Sequence, residues 1–224
     1  LKLEKDENGV TQVRFDFDHV EAKKMSTRDP QPAAAAPRKE RTALYTIARG
    51  LAWLILRLFF PVRYHHLEPF DMDAPYIVMS NHKSLLDPFA LAYPCKKYEI
   101  RFMGKKELSK GKLASWIMEK MHMIPVNRHH TDLAAMRKCT KALKEGRVLG
   151  IFPEGTRHQP ELMAEVETGV AVLALRAGVP LLPVYIDGKL KLFHTTDVYV
   201  GDPMDISDLS NQGYDAEVVH ALTE

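Results

Sequence analysis

Between an apolar tetrapeptide and a proline stands "SNHKSLLDP", residues 80–88, in which His82 precedes Asp87 by five positions. Imidazole is the side chain whose charge changes nearest physiological pH, so a histidine steadied by a carboxylate is suited to take a proton from a hydroxyl. Asp87 would hold the ring's tautomer and stabilise the imidazolium, leaving the second ring nitrogen for a substrate. On one helix the two residues would stand ~500° apart and face different ways, so a turn must bring them together. Asp87 before Pro88 fits an N-cap followed by proline at the first helical position, with His82 in the preceding loop. A plainer alternative stays open, in which Asp87 only caps the helix and His82 only meets backbone.

Two further polar clusters complement this pair: "NRHH" at 127–130 and "PEGTRH" at 153–158. Arg128 and Arg157 offer forked guanidinium groups, which bind phosphate through paired, charge-assisted hydrogen bonds. Small Gly155 and the hydroxyl of Thr156 leave backbone N–H groups accessible to the same anion, while Glu154 suits orienting Arg157 or binding a hydroxyl. Each arginine alone would equally serve a surface ion pair. A serine hydrolase is disfavoured: Ser80 and Ser84 are near His82, but the chain has no G-x-S-x-G elbow. Direct transfer to an activated alcohol needs no protein nucleophile. The adjacent pairs His65-His66 and His129-His130 point in different directions with no third ligand at suitable spacing, so they read as loop histidines and not as a metal site.

The elements that must position these clusters follow from the pattern around them. Apolar strand-like runs "YIVM", "EIRFM", "MIPV", "RVLGIF" and "PLLPVYI" alternate with helix-like stretches from Pro88, around 107–121, from 132 to 145 and around 162–177. Such alternation predicts an α/β domain with a largely parallel or mixed central sheet flanked by helices. Each of the three polar clusters directly follows an apolar strand, and in open α/β sheets ligands bind at the carboxyl ends of strands. Thr131 suits the cap of the helix from 132, and Gly146 the residue after its end.

Residues 1–40 read as an extension and linker, with period-two alternation through Val13, Phe15 and Phe17 and three prolines in "DPQPAAAAPRKE". The first methionine is Met25, so residues 1–24 stay open as upstream sequence; no charged, apolar, small pattern of a secretory signal stands at residue 1. Residues 41–60 form the second unit and 61–224 the third. From Thr42 to Phe60, the residues Thr42, Thr46, Arg49, Gly50, Trp53 and Arg57 recur at steps of three and four, which at ~100° per residue leaves a wide apolar arc of Leu44, Ile47, Leu51, Leu54, Ile55, Leu58 and Phe59. The helix is ~28 Å long, but a mid-span arginine costs roughly 2.5–3.5 kcal/mol in a bilayer, so an interfacial helix is expected before a spanning one. Packing over the domain's own core is the alternative.

The net charge of +2 gives no reason to expect a nucleic-acid partner, yet its distribution is uneven. Residues 38–63 carry six Lys or Arg against one acid, Glu40, which suits an anionic membrane surface. With 46% hydrophobic and 27% charged residues the composition is globular, and two cysteines without paired spacing, Cys95 and Cys139, predict neither disulfide nor zinc and suit a reducing compartment.

In order and rough spacing, "NHKSLLD", "PVNR", "FPEGTR" and "VPLLPVY" resemble the four blocks of the glycerolipid acyltransferases of the bacterial 1-acylglycerol-3-phosphate acyltransferase type, from about Pro61 to Gly188. "GKKEL" at 104–108 looks like an element between the first two blocks and adds Lys105 as a phosphate candidate. The resemblance implies a glycerol-phosphate-acyltransferase-like fold with an N-terminal amphipathic membrane helix. It implies acyl transfer from acyl-CoA or acyl-carrier protein to lysophosphatidate, making phosphatidate, with His82 as base and Asp87 as its orienter. Arg128, Glu154, Gly155, Thr156 and Arg157 would hold phosphate and glycerol. No cofactor is implied, and the expected place is the cytoplasmic face of the cell membrane. The chain departs at Glu167-Thr168-Gly169, where family members often carry a lysine before the glycine. Glycerol-3-phosphate or another lysophospholipid as acceptor, and a non-catalytic binder of anionic lipid, are the rival readings.

Overall fold

The structure is a computed structural model. It describes residues 2–5, 11–14, 42–109, 111–126, 132–153, 170 and 173–204. Strands β1 (Lys2–Lys5) and β2 (Thr11–Arg14) pair antiparallel, Leu3 opposite Val13. Next come α1 (Ala43–Phe59), β3 (Val62–His65), β4 (Ile77–Ser80), α2 (Asp87–Ala92), β5 (Ile100–Lys105) and α3 (Lys112–Lys120). The chain continues through β6 (Ile124–Val126), α4 (Leu133–Lys144), β7 (Val148–Ile151), a helical stretch at 173–177, β8 (Leu181–Ile186) and β9 (Thr196–Val200). Seven strands make one sheet in the order β3-β9-β8-β4-β7-β5-β6, every neighbouring pair parallel except β8 with β9.

The central strands are buried on both faces, which is why "YIVM" and "RVLGIF" are continuous apolar runs instead of alternating ones. Ile77 and Met79 of β4 join a core with Ala135, Cys139 and Leu143 of α4 and Leu173–Leu175 of the later helix. Tyr76 and Val78 point the other way, into a core with Tyr45 and Leu56 of α1 and Ala90 and Leu91 of α2. Period two in the backbone thus distributes one strand's side chains between two cores.

Helix boundaries differ from expectation in small, explicable ways. Asp132 caps α4, its carboxylate accepting from Ala135 N–H at 2.9 Å, while the expected cap, Thr131, lies outside the described residues. Gly146 takes the left-handed conformation past the helix end, φ +75°, as expected there. The stretch around 107–121 divides into a 3₁₀ turn, Lys106–Ser109, and α3.

Thr42 caps helix α1, its hydroxyl accepting from Tyr45 N–H at 3.1 Å. It docks on the domain through Tyr45, Arg49, Ala52 and Leu56, and Arg49 donates to the carbonyls of Tyr93 at 3.0 Å and Cys95 at 3.4 Å. Most of the apolar arc faces away: Ile47, Leu51, Leu54, Ile55 and Leu58 are exposed. The helix therefore packs on the core with one narrow face while presenting apolar surface outward. No helix among the described residues is long and apolar enough to cross a membrane.

Candidate active site

Strand β4 lies at the middle of the sheet and ends at Ser80, and its loop is pinned to the neighbouring strand. The buried Asn81 amide donates to the Ile186 carbonyl at 2.9 Å, and Asn81 Oδ1 accepts from Ile186 N–H at 2.8 Å. Asn81 thus continues the β4–β8 ladder with a side chain, fixing where the next residue, His82, leaves the sheet.

Asp87 is fully buried, and its Oδ2 accepts from Lys83 N–H at 2.7 Å and Ser84 N–H at 2.6 Å. His82 Nδ1 stands 3.0 Å from the same oxygen. With two N–H groups already donating to it, Oδ2 has no proton to give, so Nδ1 is the donor and the lone pair is left on Nε2. Among the described residues nothing bonds Nε2, and the side chain is 23% exposed. This joins the two residues singled out by spacing. The helix register differs by one: Leu86 is the cap position of α2, Asp87 the first helical residue and Pro88 the second. The carboxylate turns backward onto the loop and the imidazole, where those donors converge, instead of forward onto the helix.

An unexpected aromatic holds the ring from one side. Phe152, directly after β7, stacks on His82 with centroids 4.4 Å apart, and Phe102 of β5 stacks on Phe152 at 5.9 Å. Register carries this contact: Met79 of β4 is opposite Ile151 of β7, so the residues that follow meet at one edge. A phenylalanine opening a polar cluster after a strand was the available signal. Gly150 admits the stack, since a Cβ there would stand 2.5 Å from Phe102 Cδ1. Both nearby serines serve the loop: Ser80 Oγ donates to the Asn81 carbonyl at 3.2 Å, and Ser84 Oγ accepts from Leu86 N–H at 3.3 Å.

Arg128, Glu154, Gly155, Thr156 and Arg157 lie outside the described residues. The strands they follow, β6 and β7, run in the direction of β4, with their carboxyl ends at the same edge. Lys105 ends β5 opposite Val126 of β6 and is half-buried. His65 contacts Asp197 at 2.7 Å and stacks on Tyr199, and His66 contacts Glu68 and Asp202. No group of three or more His, Cys, Asp or Glu disposed to hold a metal occurs among the described residues.

The structure is a mixed α/β sheet with a buttressed imidazole–carboxylate pair at its carboxyl edge. The family whose model matches is the acyltransferase family, over residues 61–187, more than half of the chain, and the chain belongs to it. The 1-acyl-sn-glycerol-3-phosphate acyltransferase of Streptococcus pneumoniae is 31% identical over 173 residues, covering 74% of this chain and 64% of that protein. Its namesake in Bacillus subtilis is 26% identical over 179 residues, covering 75% and 86%. The solved structure of the 1-acyl-sn-glycerophosphate (LPA) acyltransferase PlsC from Thermotoga maritima superposes with a TM-score of 0.59 at 22% identity, covering 79% of this chain and 73% of that one, and shares the fold.

Proposed function

We propose that the protein transfers a fatty acyl group from an acyl thioester, acyl-CoA or acyl-carrier protein, to the free hydroxyl of 1-acylglycerol-3-phosphate, forming phosphatidate. The observation that carries this reading is the His82–Asp87 pair, with Nε2 open and Asp87 Oδ2 fixed by two backbone donors. The acceptor is taken from the relatives, which are 1-acyl-sn-glycerol-3-phosphate acyltransferases. His82 Nε2 takes the hydroxyl proton as the oxygen attacks the thioester carbonyl, and Asp87 stabilises the imidazolium so formed. The tetrahedral oxyanion collapses, the C–S bond breaks, and the imidazolium returns its proton to the departing sulfur, giving ester and free thiol. The thioester is itself the activated group, so the reaction needs no cofactor and no acyl-enzyme.

Arg128, Arg157, Gly155 and Thr156 hold the acceptor's phosphate together with Lys105, and Glu154 meets the glycerol or orients Arg157. The exposed apolar arc of α1 lies in the interface of the cytoplasmic face of the membrane, where acceptor and product reside. Turnover of a labelled acyl thioester with lysophosphatidate in detergent tests the reading. His82→Ala is expected to lose roughly 10²- to 10⁴-fold, and Arg128→Ala to raise the acceptor's KM more than the donor's. Undiminished turnover by H82A rejects the mechanism.

A further inference from the structure

The connection between β8 and β9, residues 187–195, exposes two large apolar side chains in a way that neither the fold nor the chemistry above requires. Leu192 is 55% and Phe193 68% exposed, whereas Leu190 beside them is buried in the core and anchors the segment. Phe193 stands at φ +56°, in the left-handed region where a bulky side chain is strained. Two contacts hold it there. Its N–H donates to the Phe59 carbonyl at 2.6 Å, satisfying one of the carbonyls left open at the end of α1, and its ring lies 6.0 Å from that of Phe59. The apolar arc of α1 thus runs from Ile47 through Leu51 and Leu58 to Phe59 and onto the loop tip as one surface.

The exposed charges nearest the tip are basic. Lys189 and Lys191 are exposed on the loop and Arg57 on the last turn of α1. Of the acids at the two ends of the connection, Asp197 is engaged by Arg63 and His65, leaving Asp187 as the exposed one. Exposed apolar side chains next to two lysines match an anionic lipid surface, where the acyl boundary takes the former and the headgroups the latter.

We infer that the 189–193 loop is a second membrane contact, with Leu192 and Phe193 entering the acyl boundary of an anionic leaflet beside α1, and Lys189 and Lys191 meeting its headgroups. This rests on the interfacial reading of α1 and deepens it. A helix lying in a surface can roll about its axis; a contact latched beside its carboxyl end and carried by β8 and β9 fixes the roll. Since Asn81 ties the His82 loop to the end of β8, the same strand that carries the contact sets the height of the catalytic edge above the lipid.

Sedimentation of the full chain with phosphatidylcholine vesicles, with and without phosphatidylglycerol, tests this on four proteins: wild type, L192S/F193S, K189Q/K191Q and the helix variant L51S/L58S. At ~1 kcal/mol per basic residue near an anionic surface, K189Q/K191Q is expected to bind the anionic vesicles roughly 10- to 30-fold more weakly and the neutral ones unchanged. L192S/F193S is expected to lose about tenfold or more on both. Because Cys95 and Cys139 are buried, L192C accepts an environment-sensitive dye selectively, and its emission is expected to shift to the blue and be quenched by acyl-chain spin labels. Should L192S/F193S fail to fold, the lysine variant and the dye decide. Loop variants binding like wild type, with an unquenched dye, while L51S/L58S loses binding, would overturn the loop contact and leave α1 standing. Wild-type binding by all variants would remove the membrane reading itself. A loop variant that changes the oligomeric mass but not vesicle binding would assign the patch to a second copy of the chain and overturn the inference.

Discussion

Asp87→Asn isolates the charge from the shape. In the structure Oδ2 receives His82 Nδ1–H, Lys83 N–H and Ser84 N–H at 3.0, 2.7 and 2.6 Å. An asparagine can put its amide oxygen in the same place and keep both backbone bonds. Its NH₂ then falls where Oδ1 lies, a buried atom with no hydrogen-bond partner among the described residues. What disappears is the negative charge beside the imidazolium formed during transfer. For unit charges ~4 Å apart at an effective dielectric of about 20 that attraction is worth ~4 kcal/mol. A neutral hydrogen bond to the amide oxygen retains ~1 kcal/mol. The difference, ~3 kcal/mol at 1.36 kcal/mol per decade, is about two orders of magnitude in kcat. The acceptor's KM should stay put, because Asp87 does not touch substrate in this scheme. Initial rates of phosphatidate formation give both constants, and urea unfolding checks that D87N keeps its stability. Asp87→Ala is the contrasting case: each N–H left without an acceptor costs about 1–3 kcal/mol, so it should lose stability as well as rate. D87N turning over at the wild-type rate would refute the idea that Asp87 works through its charge.

Gly150→Ala would put a Cβ 2.5 Å from Phe102 Cδ1 and 2.8 Å from Ile100 Cγ2, so it should cost about 1–3 kcal/mol in urea unfolding. By displacing Phe102 it should loosen the Phe152 stack on His82 and lower kcat too, whereas wild-type stability would contradict the packing described. Burial, with a smaller contribution from the charge of Asp132, pushes the Cys139 thiol up to about 12, from an ordinary value of 9.0. A raised value keeps the thiol protonated and unreactive, so the native protein at about pH 8 should not react with a disulfide reagent at Cys139 until denatured; rapid modification of the folded chain at that residue would count against its placement in the core.

How much of this was legible in the sequence depended on whether the environment of each segment was decided locally. Strands β4, β7 and β8 could be read because burial on both faces leaves an unbroken apolar run, and each such run was followed by polar residues. Strand β9 was missed although "TDVYV" alternates, with Thr196, Val198 and Val200 buried; its pairing with β8 is antiparallel, outside the strand-then-helix rhythm. The turn at His82 was legible in its partners but not in its register, because three donors converging behind Asp87 decide which way the carboxylate points.

Helix α1 shows where hydropathy stops being informative. A periodic pattern finds an apolar arc, and in water that arc would face the core; here the core receives the narrower stripe of Tyr45, Arg49, Ala52 and Leu56. Specific partners decide it. The Tyr45 hydroxyl accepts from Ile100 N–H at 3.1 Å, and the Arg49 guanidinium meets two carbonyls at the end of α2. Those bonds have meaning only once β5 and α2 are in place, so no local pattern encodes them. The Phe152 stack on His82 is of the same kind, since it exists only because the sheet order sets β7 beside β4. That order also explains why the site forms here. From β4 the chain passes β7 to reach β5, and from β7 it passes β4 to return to β8, so β4 and β7 stand side by side with their successors on opposite sides of the pair. Ligands of an open α/β sheet bind at the carboxyl ends of its strands, and the residues that follow β4 and β7, His82 and Phe152 among them, meet at that edge.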